Sequence, residues 1–140
     1  MSLERINPDE LGRPSGFAHA VRATDTTRVY LAGQTALDKA GNIVGDGIVA
    51  QFEQALANLL TALAAAGGGP EHLATVTIYI VDIADYRAHA REIGAVWRRL
   101  AGTEYPAMAG IGIARLWDDD ALIELQGVAE IPRRGTDGAD

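Results

Sequence analysis

The stretch LATVTIYIVD, residues 73–82, decides the fold. Val76, Ile78 and Ile80 alternate with Thr75, Thr77 and Tyr79, which is the two-residue period of a β-strand. Even the second set is rich in strand-favouring residues, so both faces of the strand are expected to be covered. On either side the period changes. Upstream, Ile48, Phe52, Ala55, Leu56, Leu59, Leu60 and Leu63 recur at three- and four-residue steps, the apolar stripe of an amphipathic helix. Downstream, ADYRAHAREIGAVWRRL returns to the same spacing through Tyr86, Ala90, Ile93, Trp97 and Leu100, and predicts a second helix.

The first helix has a clear stop. Gly67 to Gly69 free the backbone for a left-handed cap, and Pro70 cannot continue the hydrogen bonding. The same glycines do not make a phosphate loop, because they follow a helix and no Lys-Ser or Lys-Thr comes after them. Before this helix, FAHAVRAT (17–24) and RVYLAGQT (28–35) read as strands joined by TDTT, with Phe17, His19 and Val21 on one face. LDKAGNIVGDG (37–47) then carries two turn signals. After the second helix, PAMAGIGIARL (106–116) and ALIELQGVAEI (121–131) predict two strands, with WDDD as the connection of a hairpin. Residues 1–15 read as an irregular arm, 16–131 as the single domain, and PRRGTDGAD (132–140) as a frayed tail.

Composition narrows the function classes. A chain of 140 residues, 48% of them hydrophobic, has room for one core. Twelve basic against 19 acidic residues give a net charge of −7, which disfavours nucleic acid and anionic membranes as partners. There is no cysteine, hence no disulfide and no thiolate nucleophile. The N-terminus shows no apolar signal segment, so a soluble, cytoplasmic protein is expected. The most apolar segment, IVAQFEQALANLLTALAAAG, is interrupted by Gln51, Glu53, Gln54 and Asn58, which suits a core helix better than a membrane span.

The predicted order, β-β-α-β-α-β-β, implies a two-layer α+β domain with both helices on one face of a mixed sheet. The other face then becomes informative. On the penultimate strand Ala109, Ile111 and Ile113 alternate with Met108, Gly110 and Gly112; on the last, Ile123 and Leu125 alternate with Leu122, Glu124, Gln126 and Val128. With the Ile and Leu set assigned to the helices, the remaining face holds Met108, two glycines, Glu124 and Gln126. That surface, with Leu122 and Val128 beside them, is too apolar to lie bare in water, so a second copy of the chain is expected to cover it.

Taken in order, GFAHAV, VYLAGQT, QFEQALANLLTALAAAG, TIYIVDIADY, YPAMAGIGIARL and LIELQGVA resemble the reactive intermediate deaminase superfamily, also called the YjgF or RidA family, over about residues 16–131. The resemblance implies a chorismate-mutase-like fold, a homotrimer whose sheets form a central barrel, and a small-molecule pocket at each subunit interface. It implies hydrolysis of imines and enamines to a keto compound and ammonia, without a cofactor. In such members an arginine after Pro-Ala holds the substrate carboxylate; here that position is Met108, and a thioether cannot replace the guanidinium fork. The family's tyrosine is matched by Phe17, its serine before Gly-Gln by Ala32, its thiol-bearing position by Gly110 and its helical asparagine by Ala90. Glu124 matches the acidic residue associated with the hydrolytic water.

The expected site is therefore Glu124 as general acid and base, with Phe17, Ala32, Gly33, Met108, Gly110 and Gln126 around the substrate. The substrate is expected to be a small imine, enamine or related C–N compound other than the standard 2-imino acids. A non-catalytic, ligand-binding trimer of the same fold is the competing reading. His19, His72 and His89 are dispersed and show no metal-ligand spacing, so no metal is expected. Arg115 falls on the opposite strand face from Met108 and reads as structural, WDDD as a solvated turn, and Arg98-Arg99 as complements of the helix dipole.

Overall fold

The computed structural model of the chain describes residues 2–133. Six strands and three helices follow in the order β1 (Leu3–Ile6), β2 (Ala20–Ala23), β3 (Thr26–Gln34), α1 (Ile48–Ala65), β4 (Leu73–Ile80), α2 (Ile83–Ala88), α3 (Ala90–Ala101), β5 (Ala107–Gly112) and β6 (Ile123–Pro132). A four-stranded mixed sheet has the order β3-β6-β4-β5: β6 is antiparallel to both its neighbours, and β5 is parallel to β4. The helices lie on one face of this sheet. Phe52, Leu56, Leu59 and Leu63 of α1 are buried with Val76, Ile78, Ile123 and Leu125 of the sheet and Ile93 and Trp97 of α3. This is the α+β architecture that the periodicity predicts.

Helix α1 ends as the glycine run requires. Gly67, at φ 94°, takes the left-handed position; its N–H donates to Ala64 and that of Gly68 to Leu63, the paired bonds of a Schellman cap. The polar residues of α1 hold neighbouring loops. Gln51 donates from Nε2 to the Asp120 carbonyl and accepts from the Leu122 N–H, and Asn58 Nδ2 donates to the carbonyls of Thr35 and Leu37. By length and composition α1 could cross a membrane, yet here it is the central helix of the core.

Four sequence expectations are corrected. First, the N-terminal arm contains β1, which pairs antiparallel with β2 in a separate ribbon. Arg5 fastens that ribbon by donating to the carbonyls of Glu71, Glu104 and Tyr105. Second, the second helix breaks at His89, whose Nδ1 lies 2.9 Å from the Asp85 carbonyl oxygen. Its apolar stripe continues across the break, so periodicity alone reads it as one helix.

Third, β5 and β6 form no hairpin, because β4 lies between them. The chain leaves β4 through α2 and α3 and returns as β5 on the same heading, the crossover that a parallel pair needs. The connection from Ile113 to Leu122 then passes the C-terminal end of β4, held there by Ile113 N–H to Ile80 and Val81 N–H to Leu122. Fourth, the faces of β5 are reversed from the expectation. Its register places Met108, Gly110 and Gly112 beside Val76, Ile78 and Ile80, on the helix side. A side chain at Gly112 would crowd Ile83 of α2, with only 3.0 Å to Ile83 Cγ1, so the small residues make room for the helix. Ile111, 42% exposed, is left on the open face. β6 runs to Pro132, and the rest of the expected tail, from 134 on, lies outside the described residues.

Candidate functional site

The open face of the sheet carries the expected carboxylate. Alternation along β6 buries Ile123, Leu125 and Ala129 under the helices and turns Glu124 and Gln126 the other way. Beside them β3 is bulged: Leu31 pairs with Gly127 but Gln34 with Leu125, so Ala32 and Gly33 together oppose one residue of β6. Bulges of this kind re-aim side chains and terminate pairing next to sites. Here the bulge makes a niche. A Cβ on Gly33 would overlap Glu124 Oε2 and crowd its Cδ, so the half-buried carboxylate occupies the space that a side chain would fill. Among the described residues no hydrogen bond or ion pair engages that carboxylate.

Gln126 is oriented by a residue that sequence reasoning treated only as part of a strand. Tyr79, paired with Glu124 across β4 and β6, donates its hydroxyl to Gln126 Oε1 at 2.9 Å. The signal was available: two covered faces on one strand, with a hydroxyl in mid-strand. Further along the same face Glu130 is 6% exposed, accepts from Thr26 Oγ1 at 2.7 Å and pairs with Arg28 Nε at 2.6 Å. Burial alone would raise its carboxyl, but these hydrogen bonds and the Arg28 charge outweigh that and hold it below its ordinary value. The two glutamates on one face thus differ in kind. Glu130 is spent on structure, and Glu124 is free.

The remaining expected residues lie elsewhere. Met108 faces the helices and lines a cavity of about 510 Å³ between β5, α1, α2 and α3, together with Phe52, Tyr86, Trp97 and Tyr105. Ala90, matched above to the family's helical asparagine, is in the same wall. Gly110 shares the sheet face of Met108, where a Cβ would meet Ile80 Cδ1 at 3.5 Å. Phe17 stacks edge-on against His19, ring centroids 5.2 Å apart, while its neighbours Ser15 and Gly16 reach the cavity. Within one chain the structure therefore brings together Ala32, Gly33, Glu124 and Gln126, and separately Met108 and Gly110. The two groups lie on opposite faces of one sheet. The expectation of a single face shared by Met108, Gly110 and Glu124 is corrected by the register of β5.

The other polar candidates have local explanations. His19 Nε2 lies 2.7 Å from the Gly12 carbonyl oxygen, Arg115 pairs with Asp119 inside its own loop, and Arg99 pairs with Glu53 at 3.0 Å. Among the described residues no group of three or more His, Asp or Glu is placed to hold a metal ion.

Comparison with known proteins matches this architecture. The profile of the family described as endoribonuclease L-PSP covers residues 9–131. A RutC family protein of Synechocystis is 34% identical over 135 residues, covering 94% of this chain and 99% of its own. A 2-iminobutanoate/2-iminopropanoate deaminase of Capra hircus is 29% identical over 102 residues, 72% of this chain and 71% of its own. Among solved structures, a protein of unknown function from the conserved Rid protein family of Yersinia pestis superposes with a TM-score of 0.84 at 32% identity, covering 94% of this chain and all of that one.

Proposed function

The chain belongs to the endoribonuclease L-PSP family, the Rid or YjgF superfamily of imine deaminases, and from that membership we propose a cytoplasmic homotrimer that hydrolyses a small imine, enamine or related C–N compound. The observation that carries this reading is the Glu124 carboxylate, without a partner among the described residues and seated where only glycine at position 33 admits it. In the proposed reaction an iminium carbon takes up water, whose proton passes to Glu124. The proton then returns to the nitrogen, and as the C–N bond breaks the carbinol hydroxyl becomes the carbonyl and its proton passes through Glu124 to the departing ammonia, so that a carbonyl compound and ammonium leave and the carboxylate is regenerated. Gln126, fixed by Tyr79, supplies an oriented amide beside it.

Because Met108 and Glu124 lie on opposite sheet faces, the complete site needs two copies of the chain: the cavity behind Met108 in one, the Glu124 face of the next. The exposed Tyr30 (76%) and Ile111 (42%) on the open face fit a surface that such a neighbour covers. Met108 offers no bidentate grip on the carboxylate of a standard 2-imino acid, so the substrate is not held from this position in that way. Endoribonuclease action, named in the family's description, is not proposed, because the chain's net charge of −7 opposes a polyanionic substrate.

A non-catalytic trimer that binds small molecules is the second reading, and Met108 favours it, since the thioether packs against the core from the cavity wall. Ammonia release from freshly generated imines separates the two. Turnover by the wild type that falls by about 100-fold or more in Glu124→Gln supports hydrolysis, the scale expected for loss of a general acid–base group. No acceleration by the assembled wild type contradicts it.

A further inference from the structure

The helix-side cavity has an asymmetric lining that the reaction proposed above does not use. Its wall is apolar and aromatic, from Phe52, Tyr86, Trp97, Tyr105 and Met108, and it contains no acidic residue. Yet two arginines of α3, Arg91 and Arg98, line it as well. They stand seven residues apart, two turns along one helix face. In a chain with 19 acidic residues against 12 basic ones, neither arginine has an ion-pair or hydrogen-bond partner among the described residues. Arg99, next to Arg98, does pair, with Glu53.

The position of Arg98 argues against a role at the end of the helix. A methyl group built on Gly94 would lie 3.4 Å from Arg98 Nη1, so the guanidinium folds back one turn, over the one residue of that face without a side chain, and away from the last carbonyls. Gly94 costs helix stability, and what it provides is a seat for the Arg98 fork beside the cavity mouth. Trp97, in the same wall and 5% exposed, has an Nε1 donor with no acceptor among the described residues. Both guanidinium groups are exposed at the cavity mouth with no partner among the described residues, which leaves their donors free to receive an anion.

We propose that this cavity takes a small amphipathic carboxylate, its aromatic or branched apolar body against Phe52, Tyr86, Trp97 and Met108 and its carboxylate on Arg91 and Arg98. The inference rests on the cavity being the substrate half of the proposed site, and it names the substrate class: imines of bulky, apolar carboxylic acids, held from α3 instead of from position 108. The thioether at 108 then lies where the apolar body passes, and the charge recognition has moved to the rim.

The probes are phenylacetate and phenylacetamide, titrated calorimetrically into the intact protein. The acid is expected to bind at least about tenfold more tightly than the amide, and Arg91→Gln and Arg98→Gln each to cost about tenfold for the acid and nothing for the amide. Equal affinity for acid and amide, or no binding of the acid at millimolar concentration, overturns the proposal without recourse to any variant. Unchanged affinity for the acid in both arginine variants overturns it as well. Glu124→Gln is expected to bind phenylacetate like the wild type. If ammonia release fails while this binding holds, the hydrolase reading falls and the anion site stands; if turnover holds while acid and amide bind alike, the reverse is true.

Discussion

Gly33 is the residue on which the proposed chemistry turns. Many strand glycines mark a bend or a close backbone approach, but here the group that approaches is a carboxylate side chain. Gly33→Ala tests whether that seat matters. The added methyl group must push Glu124 aside, and the variant is expected to fold with a loss of about 1–3 kcal/mol, the usual cost of overpacking. Ammonia release is expected to drop towards that of Glu124→Gln while phenylacetate binding is kept. Wild-type turnover in Gly33→Ala would mean that the observed seat of Glu124 is not its working position. At this scale the sequence was informative about Glu124, because a carboxylate within an alternating apolar strand stands out. It was silent about Arg91 and read Arg98 only as a complement of the helix dipole, because arginines on a helix face are ordinary until the cavity beneath them is known.

At the scale of elements, Glu130 links the edge strand to the sheet. It sits on β6 and takes hydrogen bonds from Thr26 and Arg28 of β3, so it joins the two strands beyond the backbone ladder. Its folded-state pKa is depressed, hence its contribution to stability is present above the unfolded value, about 4.3 for a glutamate, and is lost as pH falls through the lower folded value. Chemical denaturation across the acid range is expected to show this loss in the wild type and a shallower limb in Glu130→Gln. An identical acid limb in the two proteins would remove Glu130 as the cause. Elements were also where sequence reading met its limit. Core helix α1, its glycine cap and strand β4 were legible because periods and caps are local. The pairing of β6 between β3 and β4, and the reversal of β5, were not. The hydrophobic pattern of β5 puts Ile111 inward, but Met108 and the glycines are what the helices leave room for, and Ile111 is left on the open face.

For the whole molecule, one sheet with helices on a single face leaves Tyr30, Ile111, Glu124 and Gln126 on the other, and the cavity with its arginines on the far side of the same sheet. No rearrangement within one chain brings the two halves together without dismantling the sheet. A catalytic site that uses both is therefore a property of an assembly. In the proposed site the open face would supply the carboxylate, and the helix side of a neighbour would supply the cavity. This division also explains why the sequence suggested one site: β5 and β6 follow each other in the chain and read as a hairpin, whereas β4 separates them and the two sets of residues face opposite ways. The most direct measurement is the mass in solution by light scattering, at concentrations where circular dichroism shows the chain folded. The account predicts three times the 14.8 kDa of one chain. A single-chain mass under those conditions would contradict it.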